Sequence, residues 1–182
     1  MATTKWILDA NHSELGFKIR HLMIANVSGS FKNFNGEVET ENEDFSTAKV
    51  NLTAEIASIS TNNEQRDAHL RNSDFFDAEK FPELSFKSTR IEKIDAENFT
   101  LHGNLTLKGI TNPIKLNVEF NGLTKDPWGG ERAGFAVTGK INRSDFGVTF
   151  NALLENSGVA LGEEVKIICE LEVVKQAMEV AA

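Results

Sequence analysis

The chain predicts an all-β fold, a single elongated antiparallel barrel, on two observations. Apolar residues recur at every second position in segment after segment, which is the period of a half-buried strand. The face so defined mixes two extremes, large aliphatics or phenylalanines with glycine or alanine. A sheet built from many such strands must expose an edge or close, which favours a barrel or a sandwich. Small residues on its inner face then leave room inside.

The elements follow in order. A first strand near Lys5 to Leu8 precedes Asn11-His12-Ser13, after which Leu15, Phe17 and Ile19 alternate. Gly29, Phe31, Phe34, Gly36 and Val38 continue the apolar face, but its parity slips between Phe31 and Phe34, as an inserted bulge residue would cause. Thr47 to Ser58 reads as one strand with Val50, Leu52, Ala54 and Ile56 on a shared face; about 40 Å at roughly 3.4 Å per residue makes the barrel long. Thr61-Asn62-Asn63-Glu64 matches a capping box with Thr61 as N-cap, so a short polar helix over Glu64 to Asn72 is expected. Phe75, Phe76 and Phe81 follow it and would anchor it as a lid over one mouth. Alternation resumes in Phe99 to Leu107, Ile114 to Gly122, Ala133 to Ile141 and Val165 to Val173. Asp126-Pro127-Trp128-Gly129 reads as a turn between two of these strands.

Length and composition bound the function. At 182 residues, with no linker-like stretch, one domain over residues 1–182 is expected. A net charge of -8 without clustered Lys and Arg argues against a nucleic-acid partner. No apolar run reaches a membrane span, and the opening Met1-Ala2-Thr3-Thr4-Lys5-Trp6 has no signal-peptide core, so a cytoplasmic protein is expected, or a periplasmic one had a leader been removed. Cys169, the single cysteine, falls on the apolar face and reads as a core thiol.

Reactive chemistry finds little support. His12, His21, His69 and His102 form no metal-binding spacing, there is no nucleophile elbow, and no carboxylate pair sits in an apolar setting. No catalytic residue, metal or cofactor is therefore assigned. His12, His21 and His69 lie outside the clean alternation and could meet at a barrel end, which keeps open an enzyme acting on a small amphiphile at the mouth. A filled barrel serving as a protein-interaction module is the other alternative.

The residues also carry a resemblance. Asp9-Ala10-Asn11-His12-Ser13, His21-Leu22-Met23, Arg66-Asp67-Ala68-His69-Leu70, Phe81-Pro82-Glu83-Leu84-Ser85-Phe86, Gly103-Asn104-Leu105-Thr106-Leu107-Lys108-Gly109, Arg143-Ser144-Asp145-Phe146-Gly147 and Gly162-Glu163-Glu164-Val165 resemble the YceI-like family of polyisoprenoid-binding, lipocalin-like proteins, from about Trp6 to Val174. The resemblance implies an eight-stranded barrel with a helix near one end, enclosing a tunnel for an isoprenoid quinone or polyprenyl lipid that it binds, stores or transports. It also allows a homodimer, and the bilayer source of such a lipid implies transient membrane contact. Phe81 stands where many relatives carry Tyr, and this chain has none.

Parity and closeness to the lid together give an expected tunnel lining of Phe17, Phe31, Phe34, Leu52, Ala54, Ile56, Phe75, Phe76, Phe86, Gly103, Leu105, Phe120 and Phe135. Inward Gly29, Gly36, Gly103, Gly122 and Gly139, with Ala54 and Ala133, would supply the space. Arg66 and His69 on the lid helix are candidates for a head-group contact, or else they pair with Asp67 or Asp74 to fix the lid.

Overall fold

The computed structural model describes residues 2–151 and 160–176. Among the described residues the strands are β1 (Thr3–Leu8), β2 (Glu14–His21), β3 (Ala25–Phe31), β4 (Phe34–Glu41), β5 (Asp44–Glu55), β6 (Ile59–Ser60), β7 (Glu83–Lys93), β8 (Asn98–Leu107), β9 (Ile110–Lys125), β10 (Glu131–Asn142) and β11 (Leu161–Lys175), with one α-helix, α1 (Glu64–Arg71). All pairings are antiparallel. The ring runs β1-β4-β5-β7-β8-β9-β10-β11 and closes where β11 returns to β1, with Leu8 opposite Val173 and Trp6 opposite Lys175.

The eleven strands are eight barrel strands, because three are interrupted. β2 continues β1 after the turn Ala10–His12, β4 continues β3 after Lys32 and Asn33, and β6 continues β5 after the turn Ile56–Ser58. The parity slip between Phe31 and Phe34 is the second of these interruptions. β9 and β11, at 16 and 15 residues, make the barrel elongated. The expected strand over Thr47 to Ser58 starts three residues earlier and breaks at Ile56, where the chain turns toward the helix.

Side chains on the inward parity form one core. Trp6 is fully buried, and Phe34, Ala54, Phe86, Phe99, Leu101, Leu105, Val118, Val137 and Cys169 are buried with it. Burial raises the Cys169 thiol to about 11, as befits a core thiol.

Two expectations are corrected. The N-cap of α1 is Asn63, whose Oδ1 accepts from the Arg66 amide at 2.9 Å. Thr61 is drawn elsewhere: its amide and hydroxyl both donate to Oδ1 of buried Asp67, at 2.8 and 2.6 Å. The glycines, in turn, do not leave space. A Cβ on Gly29 would lie 2.4 Å from Cζ of Phe17, one on Gly103 would lie 2.4 Å from Cζ of Phe86, and one on Gly139 would lie 2.6 Å from Cδ2 of Leu116. Each is a seat for a large side chain on the neighbouring strand. Gly36 holds Leu8 in the same way, at 3.1 Å, and Gly122 is exposed at a register shift with φ +123, a conformation that favours glycine.

Candidate ligand-binding lumen

All eight strands of the ring send inward residues to one cavity of about 80 Å³. Leu8, Val38, Leu52, Leu101, Val137 and Leu171 are part of its wall, which is almost wholly apolar. Phe45 closes one side. Its ring stands 5.0 Å from Trp6, 5.4 Å from Phe120 and 5.0 Å from Phe135, while Phe120 and Phe135 approach each other at 5.3 Å. The one polar atom of the Trp6 ring is satisfied, since Nε1 donates to Thr40 Oγ1 at 3.2 Å.

Of the residues expected to line a tunnel, Leu52 and Phe135 line this cavity and Phe120 belongs to the Phe45 cluster. Phe17, Phe31 and Phe76 form a second aromatic row, with ring spacings of 5.8 and 6.3 Å. Ile56, Phe86 and Leu105 are buried in the core, and Phe86 fills the space over Gly103. Phe34 and Ala54 are core residues that also face an outer groove. Phe75 is buried apart from the core, against His69 and Phe150 at ring spacings of 4.9 and 5.0 Å. Sequence reasoning passed over Phe45 and Ala48, and it placed Val38 on the apolar face without counting it in the lining. The alternation of Val50 and Leu52 extends back to Ala48, but the register shift between Glu39 and Glu41 moves Phe45 off that parity.

The helix is anchored on the core. Leu70 on α1, with Phe76 and Ala78 just after it, packs on the core. Arg66 does not reach toward the lumen: its Nε donates to Thr61 Oγ1 and its Nη2 to the Thr61 carbonyl, both at 2.7 Å. His69 Nε2 lies 2.9 Å from Asp74 Oδ2. Both side chains thus tie the helix to the segments that flank it.

The groove on the barrel flank has a volume of about 580 Å³. Asn11, Lys32, Asn33, Asn35, Glu55 and Glu83 line it, and buried Phe34 and Ala54 form its floor. It sits where the ladder between the first two barrel strands parts. Pairing stops at Ile7 opposite Glu37 and resumes at Leu15 opposite Phe31.

Among the described residues, one trio could offer metal ligands: Asp9, His12 and Glu172 place one ligand atom each within 4.8 Å of one another. A cation is already there. Arg132 donates to Asp9 at 2.8 Å and to Asp126 at 3.0 Å, and lies 3.7 Å from Glu172. That guanidinium, followed by His12, holds the Asp9 carboxyl at about 2, well below its ordinary range. His12 is thereby committed to Asp9 and Glu172, and His69 to Asp74, rather than to each other. The turn at Asp126 is the expected one, with Asp126 Oδ1 accepting from the Trp128 and Gly130 amides.

Comparison with known proteins follows from this geometry. The YceI-like domain profile matches residues 6–173. A UPF0312 protein of Staphylococcus aureus (strain N315) is 44% identical over 170 residues, covering 93% of this chain and 96% of that one. The crystal structure of the Campylobacter jejuni YCEI protein superposes with a TM-score of 0.75 at 34% identity, over 86% of this chain and 90% of that one. A domain from Saccharophagus degradans described as polyisoprenoid-binding shares the fold, with a TM-score of 0.65 at 14% identity, over 95% and 98% of the two chains.

Proposed function

Because the chain belongs to the YceI-like domain family, we propose that it holds one isoprenoid lipid, a polyprenyl lipid or an isoprenoid quinone, inside the barrel as a non-enzymatic carrier or reservoir. The observation that carries this reading is the lumen itself, an apolar cavity to which every strand of the ring contributes. The Saccharophagus degradans domain, alike in fold, is described as binding polyisoprenoids.

Magnitudes shape the mechanism. The cavity of about 80 Å³ is smaller than the roughly 150 Å³ that admits a benzene. A long chain therefore needs interior rings to move aside, and the half-buried Phe120 and Phe135 are the members of the Phe45 cluster with room to turn. Each buried methylene contributes about 0.8 kcal/mol on leaving water. Transfer from a bilayer gains far less, because there the chain is already out of water. Such a balance suits cargo that is taken up and released, with transient contact at the membrane that supplies it.

Filling the cavity tests the reading. Ala48 lines it, whereas Ala54 lies in the closely packed wall at 1% exposure, so Ala48→Phe is the cleaner substitution. The protein with Ala48→Phe should take up far less geranylgeraniol while its stability stays within about 1 kcal/mol, below the overpacking range. Undiminished uptake would place the ligand elsewhere.

A further inference from the structure

We infer that the flank groove is the docking site for a neutral, hydrogen-bonding head group, and that the isoprenoid chain passes from it into the lumen through the seam between the first two barrel strands. This rests on the lumen reading above and names where the lipid enters and which head groups it can carry.

Three observations converge. A barrel wall is normally sealed by its ladder, yet here the pairing is missing between Ile7–Glu37 and Leu15–Phe31. One residue on each side of the seam turns away to another partner: the Asp9 amide donates to the Glu172 carbonyl, and the Lys32 amide to the Ser58 carbonyl. The groove and the cavity then come within two residues of each other on three strands, at Ala10 and Leu8, at Phe34 and Gly36, and at Thr53 and Leu52. Phe34, buried and facing the groove, is the side chain whose rotation would join the two spaces.

The groove's chemistry selects the head group. Asn11 and Asn35 present amides that both donate and accept, and Asn33 already donates to Glu55 at 3.0 Å. Lys32 is its one cation and makes no ion pair among the described residues. Two carboxylates, Glu55 and Glu83, outweigh it. A diphosphate would enter against net negative charge, whereas a hydroxyl or a quinone carbonyl meets donors without that repulsion.

Geranylgeraniol and geranylgeranyl diphosphate share one chain and differ only in the head group, which makes them matched probes of the delipidated full chain. Native mass spectrometry gives their affinities, and fluorescence of buried Trp6, whose ring lies tilted 5.0 Å from that of Phe45 beside the cavity, gives the rate of uptake in a Trp128→Phe background that removes the exposed tryptophan. The alcohol should bind roughly tenfold or more tightly than the diphosphate, from like-charge repulsion in the groove. Glu55→Gln with Glu83→Gln should close most of that gap. Asn35→Phe, on the exposed face of β4, should slow uptake of the alcohol several-fold without changing the melting temperature, and Asn11→Phe across the groove serves as an independent block. Equal affinities for the two lipids, or uptake at the wild-type rate in both blocked variants, overturns the portal while leaving the lumen reading standing. If neither lipid binds at all, the lumen reading falls and the portal falls with it.

Discussion

The ring of Phe86 occupies the space above Gly103 on the neighbouring strand, so closely that a Cβ on the glycine would lie 2.4 Å from Cζ of Phe86 and 2.6 Å from the Lys87 carbonyl oxygen. The second contact is backbone and cannot swing away. Gly103→Ala should therefore cost about 1–3 kcal/mol, the range for overpacking. Urea denaturation measures it, and a change below about 0.5 kcal/mol, the usual range for surface substitutions, would mean that the two strands separate more freely than this contact allows.

Phe45 makes three ring contacts and walls the cavity. Truncation to Ala should cost about 3–5 kcal/mol in the empty barrel. It also enlarges the cavity, so part of that loss should return when geranylgeraniol is added. Thermal melts with and without the lipid give both numbers, and a variant that regains nothing would separate Phe45 from the binding space.

Acid stability reports the Arg132 node. Asp9 titrates at about 2 in the fold against an ordinary 3.8. A carboxyl depressed in the fold contributes stability that is fully present above its unfolded value and is lost as pH falls through the folded one. The denaturation midpoint of the wild type should thus drop between pH 3.8 and about 2. Arg132→Gln removes the largest cause and should be less stable at neutral pH, with a shallower fall across that window. Parallel curves for the two proteins would show that the ion pair does not set Asp9.

Cys169 is 3% exposed, and burial lifts its thiol to about 11. It should resist a disulfide reagent at neutral pH in the folded protein and react at once in denaturant. Fast labelling of the native chain would indicate that β11 opens locally.

How much of this was legible in the sequence depended on register. Alternation alone placed Leu101, Leu105, Val137 and Cys169 inward, and the slip between Phe31 and Phe34 marked a real interruption. The glycines were ambiguous because a gap and a seat look alike on one strand. Only the cross-strand register, Phe17 opposite Gly29 and Leu116 opposite Gly139, shows which large side chain fills each gap. The helix cap went astray for a tertiary reason, since Asp67 takes the Thr61 hydroxyl and leaves the end to Asn63. The groove was invisible because it is made by pairs that fail to form, and nothing in the spacing of Asn11, Asn33 and Asn35 announces that they converge.

The central claim is that this barrel is a container for an isoprenoid chain, and native mass spectrometry of the freshly purified protein tests it most directly. The account predicts a species heavier than the 20.1 kDa chain by the mass of one isoprenoid lipid, or a delipidated chain that takes up one geranylgeraniol. A spectrum showing the bare chain alone, unchanged after incubation with that lipid, would contradict it.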